Sequence, residues 1–212
     1  MTQPTSSDNA YPVQLTATPP EHYERVQLLL RLLVCAAIGL LHQSLGSIAG
    51  ALYLLLPTLA AILISQRGGQ GFLARDGGWI GGMLEWLVGL YAYMLFVTDR
   101  FPLEAETRVV RLRIVNRGTP TLVDALLRLL TSLPHALVLG LLALVSSVIS
   151  FILAFSILFT TRAPRGLCKF QSDFVGWLAR FFAYHGSLVD TYPPFALSGV
   201  AHAQSHDGYQ SV

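Results

Sequence analysis

Two stretches of this chain, LGSIAGALYLLLPTLAAILI at 45–64 and HALVLGLLALVSSVISFILAFSILF at 135–159, contain no Asp, Glu, Lys or Arg. Each exceeds the ~18 apolar residues that mark a candidate membrane span. The rest of the composition follows the same direction, with 53% hydrophobic and 12% charged residues against roughly 25% charged in an average soluble domain. The first twenty residues lack both a basic segment and an apolar core, so no cleaved signal is expected. Insertion then falls to the internal spans, which implies a cell membrane, multi-pass, of the bacterial inner-membrane kind.

The second constraint is self-similarity. VQLTA (13–17) and VRLRI (110–114) recur at the same offset as LLRLL (29–33) and LLRLL (126–130). With a slightly shorter offset, Arg67 and Gly71 fall on Arg162 and Gly166, and Trp86, Tyr93, Asp99 and Pro102 fall on Trp177, Tyr184, Asp190 and Pro193. Anchors that keep their order along the chain indicate a tandem duplication. The reading is a first repeat at 11–103 and a second at 104–197, flanked by polar tails at 1–10 and 198–212 of disordered composition. Each repeat has a short alternating strand, an amphipathic helix with one Arg in apolar surroundings, a transmembrane helix, a basic Gly-containing loop and an aromatic-rich helix ending at Asp and Pro. The fold class is mainly α: an integral membrane helical protein built from two such units.

The second unit carries LLRLLTSLPHALVLGLL, SILFTTRAPRGL, GWLARFFAY and DTYPPFAL. In these motifs it resembles an uncharacterised bacterial membrane family, domain-of-unknown-function family 4389. The resemblance covers about ninety residues and implies a small helical membrane domain, with no known activity attached. The first unit reads as a degenerate copy, without the Pro134–His135 pair and with FPL where the second has TYPPF.

Four crossings are expected, near 44–65, 79–98, 134–160 and 172–190. The segment PTLVDALLRLLTSL (120–133) is too short to cross: about fourteen residues rise only ~20 Å against a ~30 Å hydrocarbon core. It should lie in the interface or pack inside the protein. The last helix of the second unit is amphipathic, with Asp173, Gly176, Arg180 and Ser187 opposite an aromatic face. It either lies in the interface or crosses with its polar side toward protein. The two strands, one in each unit, should pair on one side of the bilayer, since a lone short strand leaves its backbone groups unpaired.

Arg31 and Arg128 occupy equivalent apolar positions, and Asp99 and Asp190 end equivalent helices, where a carboxylate opposes the macrodipole. Intramembrane ion pairs Arg31–Asp99 and Arg128–Asp190 would resolve both problems. They serve either as packing and register devices or as a proton or ligand site. Trp86, Tyr93, Trp177 and Tyr184 are candidate interfacial aromatics, given the preference of Trp and Tyr for headgroup depth; the sharper alternative is a groove for a lipid or quinone tail. Cys35 and Cys168 read as free thiols. His135, His185, His202 and His206 lack metal-ligand spacing, and no nucleotide loop, nucleophile elbow or zinc helix is present. No catalytic residue, metal or cofactor is therefore assigned. A net charge of +2 gives no nucleic-acid signal, which leaves membrane lipids, a membrane-protein partner or a second copy as partners. The function expected is that of a non-enzymatic scaffold or accessory subunit; the alternative is a lipid- or small-molecule-handling protein whose two units surround a midplane cavity.

Overall fold

The computed structural model describes residues 11–17, 19–40, 45–102, 110–115 and 118–197; the tail segments 1–10 and 198–212 lie outside them. The chain is mainly helical. In order, it forms β1 (Val13–Thr16), α1 (Arg25–Leu40), α2 (Leu45–Arg75), α3 (Gly77–Met94), β2 (Arg111–Ile114), α4 (Leu122–Thr131), α5 (Leu133–Thr160) and α6 (Arg165–His185).

Alternation decides the sheet. Val13 and Leu15 are buried on one face of β1, while Gln14 and, across the ladder, Arg111 and Arg113 are exposed. The strands pair antiparallel with Leu15 opposite Leu112. The ladder continues where Val115 N–H donates to the Pro12 carbonyl at 2.9 Å.

The two long helices end differently, for reasons visible in the residues. In the first half the expected basic loop at 65–72 is helical: α2 runs through it with a kink at Gly68, whose φ of 73° and ψ of 164° lie in a region that glycine tolerates. In the second half Thr161, at φ 57°, terminates α5, and Pro164 cannot extend it, so α6 starts as a separate helix. A tight approach follows the kink, since a Cβ at Gly69 would overlap the backbone of Pro120.

The halves interlock. α1 of the first half lies along α5 of the second, and α4 of the second lies along α2 of the first. Tyr23 N–H donates to the Thr161 carbonyl at 2.9 Å, and the Tyr53 hydroxyl donates to the Leu129 carbonyl. One core draws on both halves, including Leu56, Phe72, Leu84 and Val88 from the first and Leu139, Val175, Phe182 and Leu188 from the second.

Four crossings do not emerge from these elements. Among the described residues two helices, Gly46–Arg75 and Leu133–Thr160, are long and apolar enough to cross a membrane by length and composition. α6 is neither an interfacial helix nor a lipid-facing span, because every residue from Gln171 to His185 is buried in protein. α3, α5 and β1 pack around it, and Arg180 Nη2 on its polar face donates to the Ala196 carbonyl at 2.7 Å. α3 is buried along its C-terminal half, from Leu87 to Met94.

The exterior is where apolar side chains gather. On α1, Val26, Leu29, Leu32 and Leu33 point out while Arg31 points in. On α4, Val123, Leu126, Leu127 and Leu130 point out while Arg128 points in. α5 adds Leu137, Leu141, Leu144, Val148, Phe151 and Phe155.

Candidate functional site

α3 and α6 finish in the same way. Phe96 (φ 63°) and Ser187 (φ 59°) adopt the left-handed conformation. Behind them Val97 N–H reaches back to the Ala92 carbonyl at 2.8 Å, and Leu188 N–H to the Ala183 carbonyl at 3.0 Å. This is the Schellman arrangement, formed without glycine at the left-handed position. It curls the chain so that several carbonyls converge, and one arginine meets each cluster.

Arg31 donates from Nε to the Tyr93 carbonyl at 2.9 Å, and from Nη2 to the Thr98 carbonyl at 2.8 Å and Asp99 Oδ1 at 3.0 Å. Arg128 donates from Nη1 to the carbonyls of Tyr184 at 2.5 Å and Val189 at 2.8 Å, and from Nη2 to Asp190 Oδ1 at 2.7 Å. Each guanidinium thus supplies donors and positive charge at a helix C-terminus, where both are favourable. Each also lies on an aromatic ring: Arg31 Cζ is 4.4 Å from the centroids of Tyr93 and Phe96, and Arg128 Cζ is 4.5 Å from that of Tyr184. The sites differ at the acid. Asp99 is 11% exposed and also accepts Glu24 N–H at 2.7 Å, whereas Asp190 is 40% exposed. The two sites are separate; beside the first, Glu24, Gln27, Thr98 and Asp99 line a polar cleft of about 620 Å³.

Of the four aromatics expected at headgroup depth, Trp86 is 39% exposed and the other three are buried. Tyr93 and Tyr184 serve as the rings beneath the arginines. Trp177 is enclosed beside His135 at 5.9 Å between centroids. Tyr93 is covered by Arg31 and Phe101 and Tyr184 by Arg128 and Tyr192, each within its own half of the chain.

Pro57, inside α2, has no N–H, so the helix leaves the Tyr53 carbonyl without its usual donor. His185 supplies one: Nε2 lies 2.6 Å from that carbonyl and Nδ1 lies 3.0 Å from Ser132 Oγ. A carbonyl only accepts, so Nε2 carries a proton, while the bond between Nδ1 and Ser132 Oγ can run in either direction. Burial pushes the imidazole pKa from 6.5 down to about 4, and the charge of nearby Arg128 acts in the same direction.

A second histidine is held by the segment after α6. Tyr192 hydroxyl donates to the Thr131 carbonyl at 3.0 Å and lies 2.9 Å from His135 Nδ1. Phe195 covers the same imidazole at 3.7 Å between centroids. Sequence reasoning left both histidines without a role, though PH and TYPPF stand out as features of the second half alone. Ion pairs Arg67–Asp76 and Lys169–Asp173 and the hydrogen bonds of Gln171 to Ser146 and Ser150 were also unread. Their signals are single polar residues whose partners lie on other turns or helices.

Between α2 and α5 runs a cleft of about 840 Å³, floored by α6 and touched by Cys35 of α1, Tyr91 of α3 and Leu95 just past the end of α3. Its walls are built from small residues at helical spacing: Gly46, Ala49 and Gly50 on one side, Ala136, Gly140 and Ala143 on the other. Among the described residues no Asp, Glu, Lys, Arg or His lines it, and neither arginine site opens into it.

Fold and site together define a class: a small helical protein with a charged and hydrogen-bonded interior and two long apolar helices. Within it, residues 123–196 match the family described as Domain of unknown function (DUF4389). That region holds α4, α5, α6 and the Tyr192–Phe195 segment, and so includes the Arg128 and His135 sites. No curated protein and no solved structure matches the chain.

Proposed function

We propose that this chain is a non-enzymatic integral membrane protein, an accessory or scaffold subunit in a cell membrane of the bacterial inner-membrane kind, built from two tandem units at 11–103 and 104–197. One observation carries the membrane reading. The arginines of α1 and α4 are each 4% exposed while Leu29, Leu32 and Leu33 beside Arg31 are 65–67% exposed, the inverse of a surface helix in water. Contiguous apolar exteriors of this extent mark membrane or protein contact.

The duplication is supported by the paired helix ends, with matching left-handed residues, matching backbone bonds and matching arginines. The scaffold reading is supported by how the interior charges are used: Arg31 and Arg128 each hold a helix end together. Partners of this exterior are membrane lipids, together with another membrane protein or a second copy. The test is alkaline carbonate extraction of membranes from expressing cells, followed by native mass spectrometry of detergent-released protein. The reading requires the chain to stay with the membrane under carbonate and to leave it with detergent. Release by carbonate alone would overturn it.

A further inference from the structure

We propose that the turn between α5 and α6, residues 161–169, is a docking surface for the headgroups of anionic phospholipids; this rests on the membrane reading above and adds the class of lipid that meets one end of the molecule. The turn reads TRAPRGLCK and contains Arg162, Arg165 and Lys169 without an acid. All three cations are exposed. Lys169 is bound to Asp173, which is buried, but among the described residues no acid pairs with Arg162 or Arg165. At the equivalent place in the first half Arg67 is bound to the buried Asp76, so one free guanidinium, that of Arg75, remains there against two here. The second turn is also held in place. Thr161 closes α5 in the left-handed conformation, and the Arg162 carbonyl accepts from Ser156 Oγ at 2.9 Å and Thr160 Oγ1 at 3.2 Å. Groups on a pre-set turn lose less freedom on binding. A Cβ at Gly166 meets nothing within 4 Å, so the space beside Arg165 is open.

What lies next to the turn selects the ligand. A stripe of exposed apolar side chains runs along α5 from Leu137 to Phe159, about 33 Å of helix rise, which matches the ~30 Å of a hydrocarbon core. The cations begin where that stripe ends: Phe159 is 71% exposed, and Arg162 is the first charged residue after it. A partner protein has no reason to match the thickness of a bilayer. Free phosphate would meet the arginines and leave the phenylalanines in water. A zwitterionic lipid would cover the phenylalanines but bring no net negative charge to the arginines. An anionic phospholipid satisfies both, with its chains along α5 and its phosphate against guanidinium groups, whose forked N–H donors suit phosphate oxygens. Basic residues at this depth are drawn to anionic headgroups.

The test measures lipid preference. The full-length protein in detergent is mixed with equimolar phosphatidylglycerol and phosphatidylcholine of distinguishable mass, and the adducts are counted by native mass spectrometry. Phosphatidylglycerol should be retained over phosphatidylcholine by about fivefold or more, the factor that a single cation near a charged bilayer surface supplies. Arg162→Gln/Arg165→Gln should bring the ratio close to one, whereas Arg162→Lys/Arg165→Lys, which keeps the charge, should retain most of the preference. Loss as complete in the lysine pair as in the glutamine pair would overturn the charge argument. Arg111→Gln/Arg113→Gln removes the same charge from the exposed face of the sheet and should leave the ratio unchanged. A ratio near one in the wild type, or an equal fall in the sheet variant, overturns the docking surface, while attachment that resists carbonate keeps the membrane reading intact. Release by carbonate overturns both. Displacement of phosphatidylglycerol by millimolar inorganic phosphate would assign the arginines to a free anion and also overturn the proposal.

Discussion

Arg31 and Arg128 each satisfy two backbone carbonyls before they reach an acid, so the carboxylate is the lesser part of either site. Removing the arginine orphans buried carbonyls and leaves an acid unpaired, a change expected to cost ~3–5 kcal/mol by analogy with broken buried pairs. Asp190→Asn removes only the most exposed partner and should cost well under half as much; Asp99→Asn should fall between, since Asp99 is more enclosed and also caps Glu24 N–H. Thermal unfolding in detergent checks the order Arg128→Met, Asp99→Asn, Asp190→Asn from most to least damaging. Equal losses for all three would contradict it. His185 gives a second test. Its folded pKa is depressed, so between pH 6.5 and about 4 the unfolded chain binds a proton that the folded chain does not, and stability falls as pH drops through that window. Wild type should therefore lose more melting temperature than His185→Gln when pH is lowered from 7 to 4.5; identical losses would show that the imidazole is not the titrating group. The pairing of Arg with Asp could be posed from sequence because both recur. The carbonyl capping could not, since it depends on Phe96 and Ser187 turning left-handed, and neither residue type signals that.

At the scale of elements, α4 shows what periodicity resolves and what it leaves open. Its length excludes a crossing, and the capping box of Thr121 and Asp124 marks its start. α4 lies along α2, and just before it Pro120 meets the α2 backbone at Gly69. The outcome puts Arg128 inside and Leu126, Leu127 and Leu130 outside. A spin label at Leu130 in vesicles should relax faster with oxygen than with a water-soluble nickel chelate, and a label at Arg111, on the exposed face of the sheet, should do the reverse. Nickel-dominated relaxation at Leu130 would put the leucine face in water. α6 is the opposite case: its amphipathic pattern suggests a surface helix, yet both faces are buried because α3, α5 and β1 surround it. A pattern within one helix carries no count of its neighbours.

For the whole molecule, the sheet fixes how the two halves are related. Leu15 and Leu112, equivalent in the repeat, stand directly opposite each other in an antiparallel ladder, the relation that two copies have about a two-fold axis perpendicular to the sheet. One face of that sheet exposes Gln14, Arg111 and Arg113, side chains too costly to turn toward hydrocarbon. The other face packs on α3 and α6. The axis therefore runs from the exposed face through the sheet into the helices, and on the membrane reading proposed above it lies along the membrane normal. On the membrane and duplication readings proposed above, both halves then have the same orientation in the bilayer, as in parallel rather than inverted repeats. It follows that equivalent positions report the same side. In a background lacking Cys35 and Cys168, single cysteines replacing Arg67 and Arg162 should react with an impermeant maleimide from one and the same side of sealed vesicles, and cysteines replacing Gln14 and Arg111 should likewise agree with each other. If Arg67 and Arg162 report opposite sides, the repeats are inverted, and the sheet cannot mark the aqueous end of the axis.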